Sequence, residues 1–240
     1  MLRRATTAFA VALLLAVPVA SHAALTTYLQ DFESLVQTSP TALSGDGWVV
    51  YGNVFSPDHS VYYYGYGEFP APNGTGAFCN VATGQGGAAQ GAQQLVVFSD
   101  YNNGDHANGN LIESNVYHDQ TVAAGDVGST WTWQFDAKKG DIAGTSTAIA
   151  FIKTLDPNAG YATTNFLTAD MTSIPATWGT YQISITITPN LVGQILQFGF
   201  SNTTTHYQPS GIFYDNCWFH KETATPVTPT TWGGLKARYH

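Results

Sequence analysis

Apolar and polar residues alternate along much of the chain, which is the pattern of strands with one buried side. In Y-Q-I-S-I-T-I-T, residues 181–188, tyrosine and the isoleucines occupy one side, while glutamine, serine and the threonines occupy the other. W-T-W-Q-F-D-A, residues 131–137, repeats the pattern with two tryptophans and a phenylalanine. A period of two residues over such lengths predicts half-buried strands of antiparallel sheets.

Similar runs lie between turn sequences such as N-G, G-D-G and D-P-N, and they predict further strands. These strands cover residues 28–34, 47–55, 75–82, 92–98, 111–122, 146–154, 194–201 and 211–220. The sequence contains no amphipathic helix pattern longer than two turns and no internal repeat. About ten short strands in one domain predict an all-β fold, a two-sheet antiparallel β-sandwich of the jelly-roll type.

The two ends of the chain differ from this middle region. Residues 1–23 resemble a secretory signal, with two arginines, an apolar core and a cleavage site of small residues ending at Ala23. No later run approaches the ~20 apolar residues that span a bilayer. We therefore expect a secreted, periplasmic or cell-surface protein without an integral membrane segment.

Residues 24–221 are expected to form the β-jelly-roll domain. Residues 222–240 begin with a Thr/Pro-rich segment, which predicts an extended linker, and finish in a short basic, aromatic tail. That tail is either a sorting or docking signal or a terminus without a role.

The charge balance narrows the class of partner. The sequence has eight Lys+Arg and sixteen Asp+Glu, and removal of Arg3 and Arg4 with the signal makes the remainder still more acidic. An acidic surface with few lysines argues against nucleic acid and anionic membranes as partners. Such a surface suits cations and neutral polymers better as partners.

A carboxylate interrupts the last predicted strand, S-G-I-F-Y-D-N-C-W-F-H at residues 210–220. Regular alternation would place Asp215 on one side with Phe213, Cys217 and Phe219, directed toward the core or its rim. A buried carboxylate is costly unless it is paired or binds a metal. Asp215 therefore requires a partner.

Two more carboxylates lie in the first predicted strand, where Asp31 and Glu33 share a side. The first and last strands of a jelly roll commonly lie side by side, which would bring Asp31, Glu33 and Asp215 together. Like charges at short range repel, and calcium, which takes 6–8 oxygen ligands, would neutralise them. A structural calcium site is therefore predicted, with a protonated or hydrogen-bonded pair without metal as the alternative.

Short motifs carry a family resemblance over roughly residues 28–220. D-F-E-S-L, the following G-D-G-W and the late F-Y-D-N resemble the frame of carbohydrate-binding modules with a calcium-bearing β-jelly roll, a galactose-binding-like fold. A-T-W-G-T-Y-Q-I-S and G-Q-I-L-Q-F-G-F-S-N are similar to strands of the same modules. The resemblance implies that Glu33 and Asp215 hold the calcium, with Asp31 as an extra ligand.

Two loops and one strand are candidates for ligand binding. The first loop is residues 61–73, V-Y-Y-Y-G-Y-G-E-F-P-A-P-N, and its aromatic rings suit contact with a sugar or a protein surface. The second loop is residues 99–110, S-D-Y-N-N-G-D-H-A-N-G-N, and its many oxygen atoms suit the hydroxyl groups of a ligand or a second calcium. The predicted ligand residues are Tyr62, Tyr64, Tyr66, Phe69, Asp100, Tyr101, Asn102, Asp105 and His106. The strand at 111–122 carries a polar stripe, Glu113, Asn115, Tyr117 and Asp119, which is either a ligand cleft or an ordinary solvent face.

Catalytic motifs are absent from the sequence. It has no G-x-S-x-G or H-E-x-x-H, its histidines lack metal-ligand spacing, and Glu68, Glu113 and Asp119 are the carboxylates that a glycosidase would have available. The sequence therefore predicts a non-catalytic module that binds carbohydrate. The alternative is a structural or adhesive surface protein that binds other proteins or associates with itself.

Cys79 and Cys217 are the only cysteines. In an oxidising compartment they would form either one disulfide or two independent buried thiols.

Overall fold

The computed structural model describes residues 23–67, 79–101 and 103–223; the predicted signal up to residue 22 and the tail from residue 224 lie outside these residues. The described residues form twelve strands: β1 (Tyr28–Gln30), β2 (Val49–Phe55), β3 (Tyr62–Gly67), β4 (Cys79–Thr83), β5 (Gln93–Val97), β6 (Leu111–Thr121), β7 (Thr130–Lys139), β8 (Thr147–Asp156), β9 (Ala162–Asp170), β10 (Gly179–Thr186), β11 (Ile195–Thr205) and β12 (Ile212–Lys221). The α-helices α1 (Ala42–Gly45) and α2 (Gly104–Ala107) are single turns. Among the described helices, none has the length and apolar character needed to cross a membrane.

The strands form two antiparallel sheets, which confirms the predicted all-β, two-sheet sandwich. Sheet A has the order β10-β7-β12-β5-β4, and β1 also pairs with β12. Sheet B has the order β3-β2-β6-β11-β8-β9. The predicted neighbourhood of the first and last strands is confirmed, because Tyr28–Gln30 pairs with residues 217–219.

Two observed strands were not predicted. β3 lies in a stretch that was expected to be a loop. That expectation arose because β3 has tyrosines on both sides and two glycines, so apolar and polar residues do not alternate along it. β9, A-T-T-N-F-L-T-A-D, is rich in threonine and largely exposed. A strand at the edge of a sheet buries little, so its sequence carries a weak hydrophobic signal.

Aromatic rings fill the space between the sheets. Phe200 of β11 stacks on Tyr214 of β12 with ring centroids 3.6 Å apart, and Phe198 stacks on Phe219 at 4.1 Å. Trp133 of β7 lies 5.0 Å from Phe198, between the two stacks and the rest of the core. Each stack joins one strand of sheet A to one strand of sheet B, so these rings hold the sandwich together.

A β-bulge in β12 overturns the predicted alternation of the last strand. The register shifts between Asp215 and Trp218, and Asn216 has a φ of 46°. Ile212 and Tyr214 face the core before the bulge, and Cys217 and Phe219 face it afterwards. Asp215 therefore does not share a side with Cys217 and Phe219, although it is fully buried as expected.

The two cysteines are free and buried, so the disulfide option is wrong and the option of independent thiols holds. Cys79 of β4 lies opposite Val97 of β5, which in turn lies opposite Ile212 of β12. Ile212 is five residues before Cys217, and β5 separates β4 from β12. Neighbouring strands are ~4.8 Å apart, whereas a disulfide needs Cα atoms within about 7 Å. The topology therefore keeps the sulfur atoms apart.

The Tyr214 hydroxyl is buried without a hydrogen-bond partner. Because an unpaired buried hydroxyl costs free energy, Tyr214→Phe is expected to raise the free energy of unfolding by about 1 kcal/mol while keeping the stack on Phe200. Phe200→Ala, which removes the other ring, should lower it by about 3 to 5 kcal/mol. Urea denaturation of both variants checks this, and a clear loss of stability in Tyr214→Phe would contradict it.

Candidate functional site

The outward side of sheet B combines aromatic rings with amide groups. Alternation along β6 directs Ile112, Ser114, Val116 and His118 inward and the predicted stripe outward. Neighbouring strands add their own outward side chains to the stripe. We call this surface the aromatic face and define it by Tyr51, Asn53, Glu113, Asn115, Tyr117, Phe151, Lys153, Gln197 and Ser201.

A glycine opens a gap in the middle of the aromatic face. Gly199 of β11 lies opposite Tyr117 on one side and Phe151 on the other. A Cβ at this position would lie 2.3 Å from the Val116 carbonyl oxygen and 2.6 Å from the Tyr117 Cβ. Because no side chain fits there, the rings of Tyr117 and Phe151 approach across the glycine, with centroids 6.3 Å apart.

Three polar side chains on this face make no side-chain hydrogen bond with the described residues. Asn115, Gln197 and Ser201 are only 9%, 6% and 4% exposed. Ser201 lies opposite Asn115, and Gln197 lies two positions further along β11. Polar groups so deeply placed normally have a partner, so these three are suited to hydrogen bonds with a bound hydroxyl-bearing molecule.

The charged groups of the face are already engaged. The Glu113 carboxylate accepts a hydrogen bond from the Asn53 amide at 3.0 Å and lies 3.6 Å from His59 Nε2. The Lys153 ammonium lies 5.4 Å above the Phe151 ring. Burial lowers the pKa of Lys153, although the nearby Glu113 carboxylate opposes that shift.

The two predicted ligand loops meet at the β3 edge of sheet B. The Tyr64 hydroxyl donates to the Asp105 carboxylate, and the Asn103 amide donates to the Tyr66 hydroxyl at 3.4 Å. Tyr62 and Tyr64 are exposed, whereas Tyr66 packs over Gly52 against the core. Tyr64 and Tyr66 lie opposite Val54 and Gly52 on the inward side of sheet B, whereas Tyr62 lies opposite Phe55 on the outward side, next to the aromatic face.

The remaining predicted ligand residues have other positions. His106 and Tyr101 are buried beneath the loop, with ring centroids 5.6 Å apart, so they support it and present little surface. The His106 Nε2 donates to the Ser99 carbonyl, and burial lowers the pKa of this histidine. Asp100 lines a cavity on sheet A. Phe69 and Asn102 lie outside the described residues.

Asp31 and Glu33 lie beyond the end of β1, in an exposed turn. The Asp31 carboxylate accepts the Glu33 amide at 3.2 Å, and Phe32 between them has a φ of 61°. Glu33 Oε1 accepts the backbone amides of Ala92 and Gln93 at 2.8 and 2.7 Å. Glu33 thus ties the N-terminal turn to the start of β5.

Asp215 lies in a second carboxylate neighbourhood that the sequence did not indicate. Asp136 of β7 is its direct partner across the strands, and the Asn216 amide donates to Asp136 Oδ2 at 2.8 Å. Asp215 Oδ1 accepts the Asn216 backbone amide at 2.6 Å, whereas its Oδ2 is buried without a partner. Burial raises the pKa of Asp215 to about 7; the Asn216 backbone amide and the nearby Gln94 amide oppose this rise, and repulsion from Glu33 and Asp136 adds to it.

The described residues contain no group of three or more His, Cys, Asp or Glu side chains arranged to hold a metal ion. Asp31 is engaged in its turn, so the predicted trio does not converge. One feature does fit a cation that prefers oxygen ligands: the unpartnered Asp215 Oδ2, with Glu33 and Asp136 close enough to raise its pKa.

Sequence reasoning overlooked several residues of the two sites. Three of them, Tyr51, Gln197 and Ser201, occupy outward positions of alternating strands. The alternation predicts which side of the sheet they are on, but it does not predict which residues lie next to them. Asp136 follows Phe135 in such a strand and looks like an ordinary solvent-facing residue. Only the register of the paired strands brings these residues together.

Comparison with known proteins shows similarity of fold at low sequence identity. No protein-family model matches the chain, and no curated protein matches it. An apo cyclase from Fischerella sp. shares 14% identity at a TM-score of 0.48, over 83% of this chain and 98% of the cyclase. A second similar structure holds the carbohydrate-binding and catalytic modules of a Clostridium thermocellum xylanase in complex with xylohexaose. It shares 12% sequence identity with this chain at a TM-score of 0.42, and the match covers 83% of this chain and 29% of the xylanase chain.

The enzymatically active domain of tailspike protein 4 from bacteriophage CBA120 shares 15% identity at a TM-score of 0.43 over 79% of this chain. The match spans about a fifth of that tailspike chain, 21%. Carbohydrate-binding modules are thus among the similar structures, beside enzymes. At these identities and TM-scores the similarities carry no argument about ligand or catalysis, which must come from the geometry of the site.

Proposed function

We propose that the protein is a secreted, non-catalytic module that binds a glycan chain on the aromatic face. The observation that carries this proposal is the set of three deeply placed polar side chains without side-chain hydrogen-bond partners, Asn115, Gln197 and Ser201, beside Tyr51 and Tyr117. Aromatic faces accept the C–H side of a sugar ring, and amides and hydroxyls match its hydroxyl groups. Tyr62 of β3, opposite Phe55, extends this surface at its edge.

The carboxylates of the face favour binding over hydrolysis. Glycosidases place two carboxyl groups about 5 to 9.5 Å apart. Glu113 and Asp119 are six residues apart on one strand, a span of about 20 Å at ~3.3 Å per residue. Glu113 is also held by Asn53, so it serves as a positioning group for the neighbouring amide.

A second candidate function has its own observation. Tyr62, Tyr63 and Tyr64 are all exposed on β3, one of the two edge strands of sheet B. Exposed tyrosines on such a strand suit contact with another protein or a second copy of this chain. Sedimentation of the mature chain separates the two candidates, because self-association through β3 raises the mass without any glycan.

A glycan array followed by calorimetry on the best hit tests the first proposal. Asn115→Leu and Gln197→Met keep the side-chain shape but remove the hydrogen-bonding groups, so each should weaken binding roughly tenfold. Tyr51→Ala, which removes a ring from the surface, should weaken binding by a similar factor.

The amide variants should not lower thermal stability, because neither amide has a hydrogen-bond partner among the described residues to lose. Trp218→Ala serves as the matched control, since it removes an exposed aromatic ring from sheet A. Unchanged affinity in all three face variants, or a blank array with protein shown to be folded, would reject the aromatic face as a glycan site.

We also propose that calcium stabilises the fold through Glu33 and Asp215, with Asp136 beside them. The support is the unpartnered Asp215 Oδ2 and the raised pKa of that carboxyl. A bound cation would keep Asp215 ionised and offset the repulsion among the three carboxylates. Binding to the folded state alone would raise the free energy of unfolding.

Thermal unfolding at several pH values tests this. In chelator, Asp215 holds a proton in the folded state near pH 5 to 6 that the unfolded chain has lost, so stability should fall as the pH rises through about 7. At pH 8, about 1 mM calcium should raise the unfolding midpoint by several degrees. Asp215→Asn should abolish that increase and, in chelator at pH 8, should be more stable than the native sequence.

Asp31→Asn is the matched control, because Asp31 lies in the exposed turn and should leave the calcium response intact. A midpoint that is equal in calcium and in chelator at pH 8 would reject the calcium proposal while leaving the glycan proposal standing.

A further inference from the structure

A cavity of about 640 Å³ lies on the outward side of sheet A. Residues of β4, β5, β7 and β12, with the segments that follow β5 and β7, line it. Pockets of a few hundred to about 1,000 Å³ are typical of sites for small molecules. The cavity belongs to the sheet opposite the aromatic face, so it is a separate site.

The floor of the cavity is apolar. Ala82, Val96 and Phe213 occupy outward positions on three adjacent strands, β4, β5 and β12. Gly140 and Gly211 keep one end open: a Cβ on Gly211 would lie 2.6 Å from the Asp141 carboxylate, and a Cβ on Gly140 would lie 2.5 Å from the Gly211 carbonyl oxygen. The floor therefore offers an apolar surface that includes an aromatic ring.

Two carboxylates stand at this glycine end. Asp100 Oδ1 accepts the Ser210 hydroxyl at 2.7 Å, and Asp141 Oδ1 accepts the Gly211 backbone amide at 2.9 Å. Ser210 and Gly211 are consecutive, so the two carboxylates are held at neighbouring points of the chain. The second oxygen of each has no hydrogen-bond partner among the described residues.

Two of the four lysines in the described residues, which contain no arginine, lie at the cavity. Lys138 donates to the Gln85 carbonyl oxygen at 2.6 Å and lies 5.3 Å above the rings of Trp178 and Phe213. Lys139 lies opposite the buried Ile212, so its side chain leaves the strand on the inward side, and Lys138, opposite Phe213, is the lysine that faces the cavity. Ion pairs in the described part of the chain involve only histidines, so Lys138 and the two carboxylates face one cavity without pairing.

We infer that this cavity binds a zwitterionic small molecule with an apolar side chain, that is, a ligand of the α-amino acid type. The ligand ammonium group would meet Asp100 and Asp141, and its carboxylate would meet Lys138. Its side chain would rest on Val96 and Phe213. A neutral sugar would use the floor but would form no ion pair with the charges of either sign.

Calorimetric titration of the mature chain with L-leucine and two derivatives tests the inference. N-acetyl-L-leucine lacks the ammonium group and L-leucinamide lacks the carboxylate, so each should bind roughly tenfold more weakly than L-leucine. Asp141→Asn should weaken L-leucine and L-leucinamide but not N-acetyl-L-leucine. Lys138→Gln should weaken L-leucine and N-acetyl-L-leucine but not L-leucinamide.

Controls separate the cavity from the rest of the surface. Asp170→Asn and Lys221→Gln remove one charge each outside the cavity and should leave L-leucine binding unchanged, whereas Ala82→Trp should abolish it by filling the floor. No saturable binding of L-leucine at about 10 mM by folded protein would overturn the inference. Equal L-leucine affinity in the native protein and both charge variants would also overturn it, and so would displacement of L-leucine by cellohexaose.

Discussion

The sandwich depends on two aromatic stacks that must both point inward from β12. Tyr214 and Phe219 are five residues apart, so a regular strand would direct one of them to the core and the other to solvent. The bulge at Asn216 removes this conflict by adding one residue to the alternation. Phe200 and Phe198 on the facing strand then stack on them. The side effect is that Asp215 is placed away from Cys217 and Phe219, beside Asp136.

The outward sides of the two sheets have different chemistry although they belong to one small domain. The aromatic face on sheet B is built from rings and neutral amides, with its charges already engaged, and suits a ligand rich in hydroxyl groups. The cavity on sheet A contains unpaired charges of both signs above an apolar floor. Because the shared core lies between them, one molecule could carry a ligand on each side at the same time.

Alternation in the sequence predicted most strands within a few residues, since a strand with one buried side must alternate. It missed β3 and β9, which bury too little to show the pattern. The same reasoning wrongly predicted that Asp215 shares a side with Cys217 and Phe219. The order of apolar residues does not reveal the bulge, and the only hint of it in the sequence is Asn216. The candidate sites were harder to predict. Gln197 and Ser201 on one sheet, and Lys138 and Asp141 on the other, become neighbours of their site residues only through strand pairing and turns between distant segments.

The separation of Cys79 and Cys217 has a practical consequence. Both thiols are fully buried and free, and burial raises the pKa of each, so neither ionises readily in the folded state. Folding of the described domain needs no oxidation step, and a reducing environment leaves its cross-strand contacts intact. A thiol-specific reagent would therefore label only opened molecules, and the native sequence carries its own reporter of unfolding.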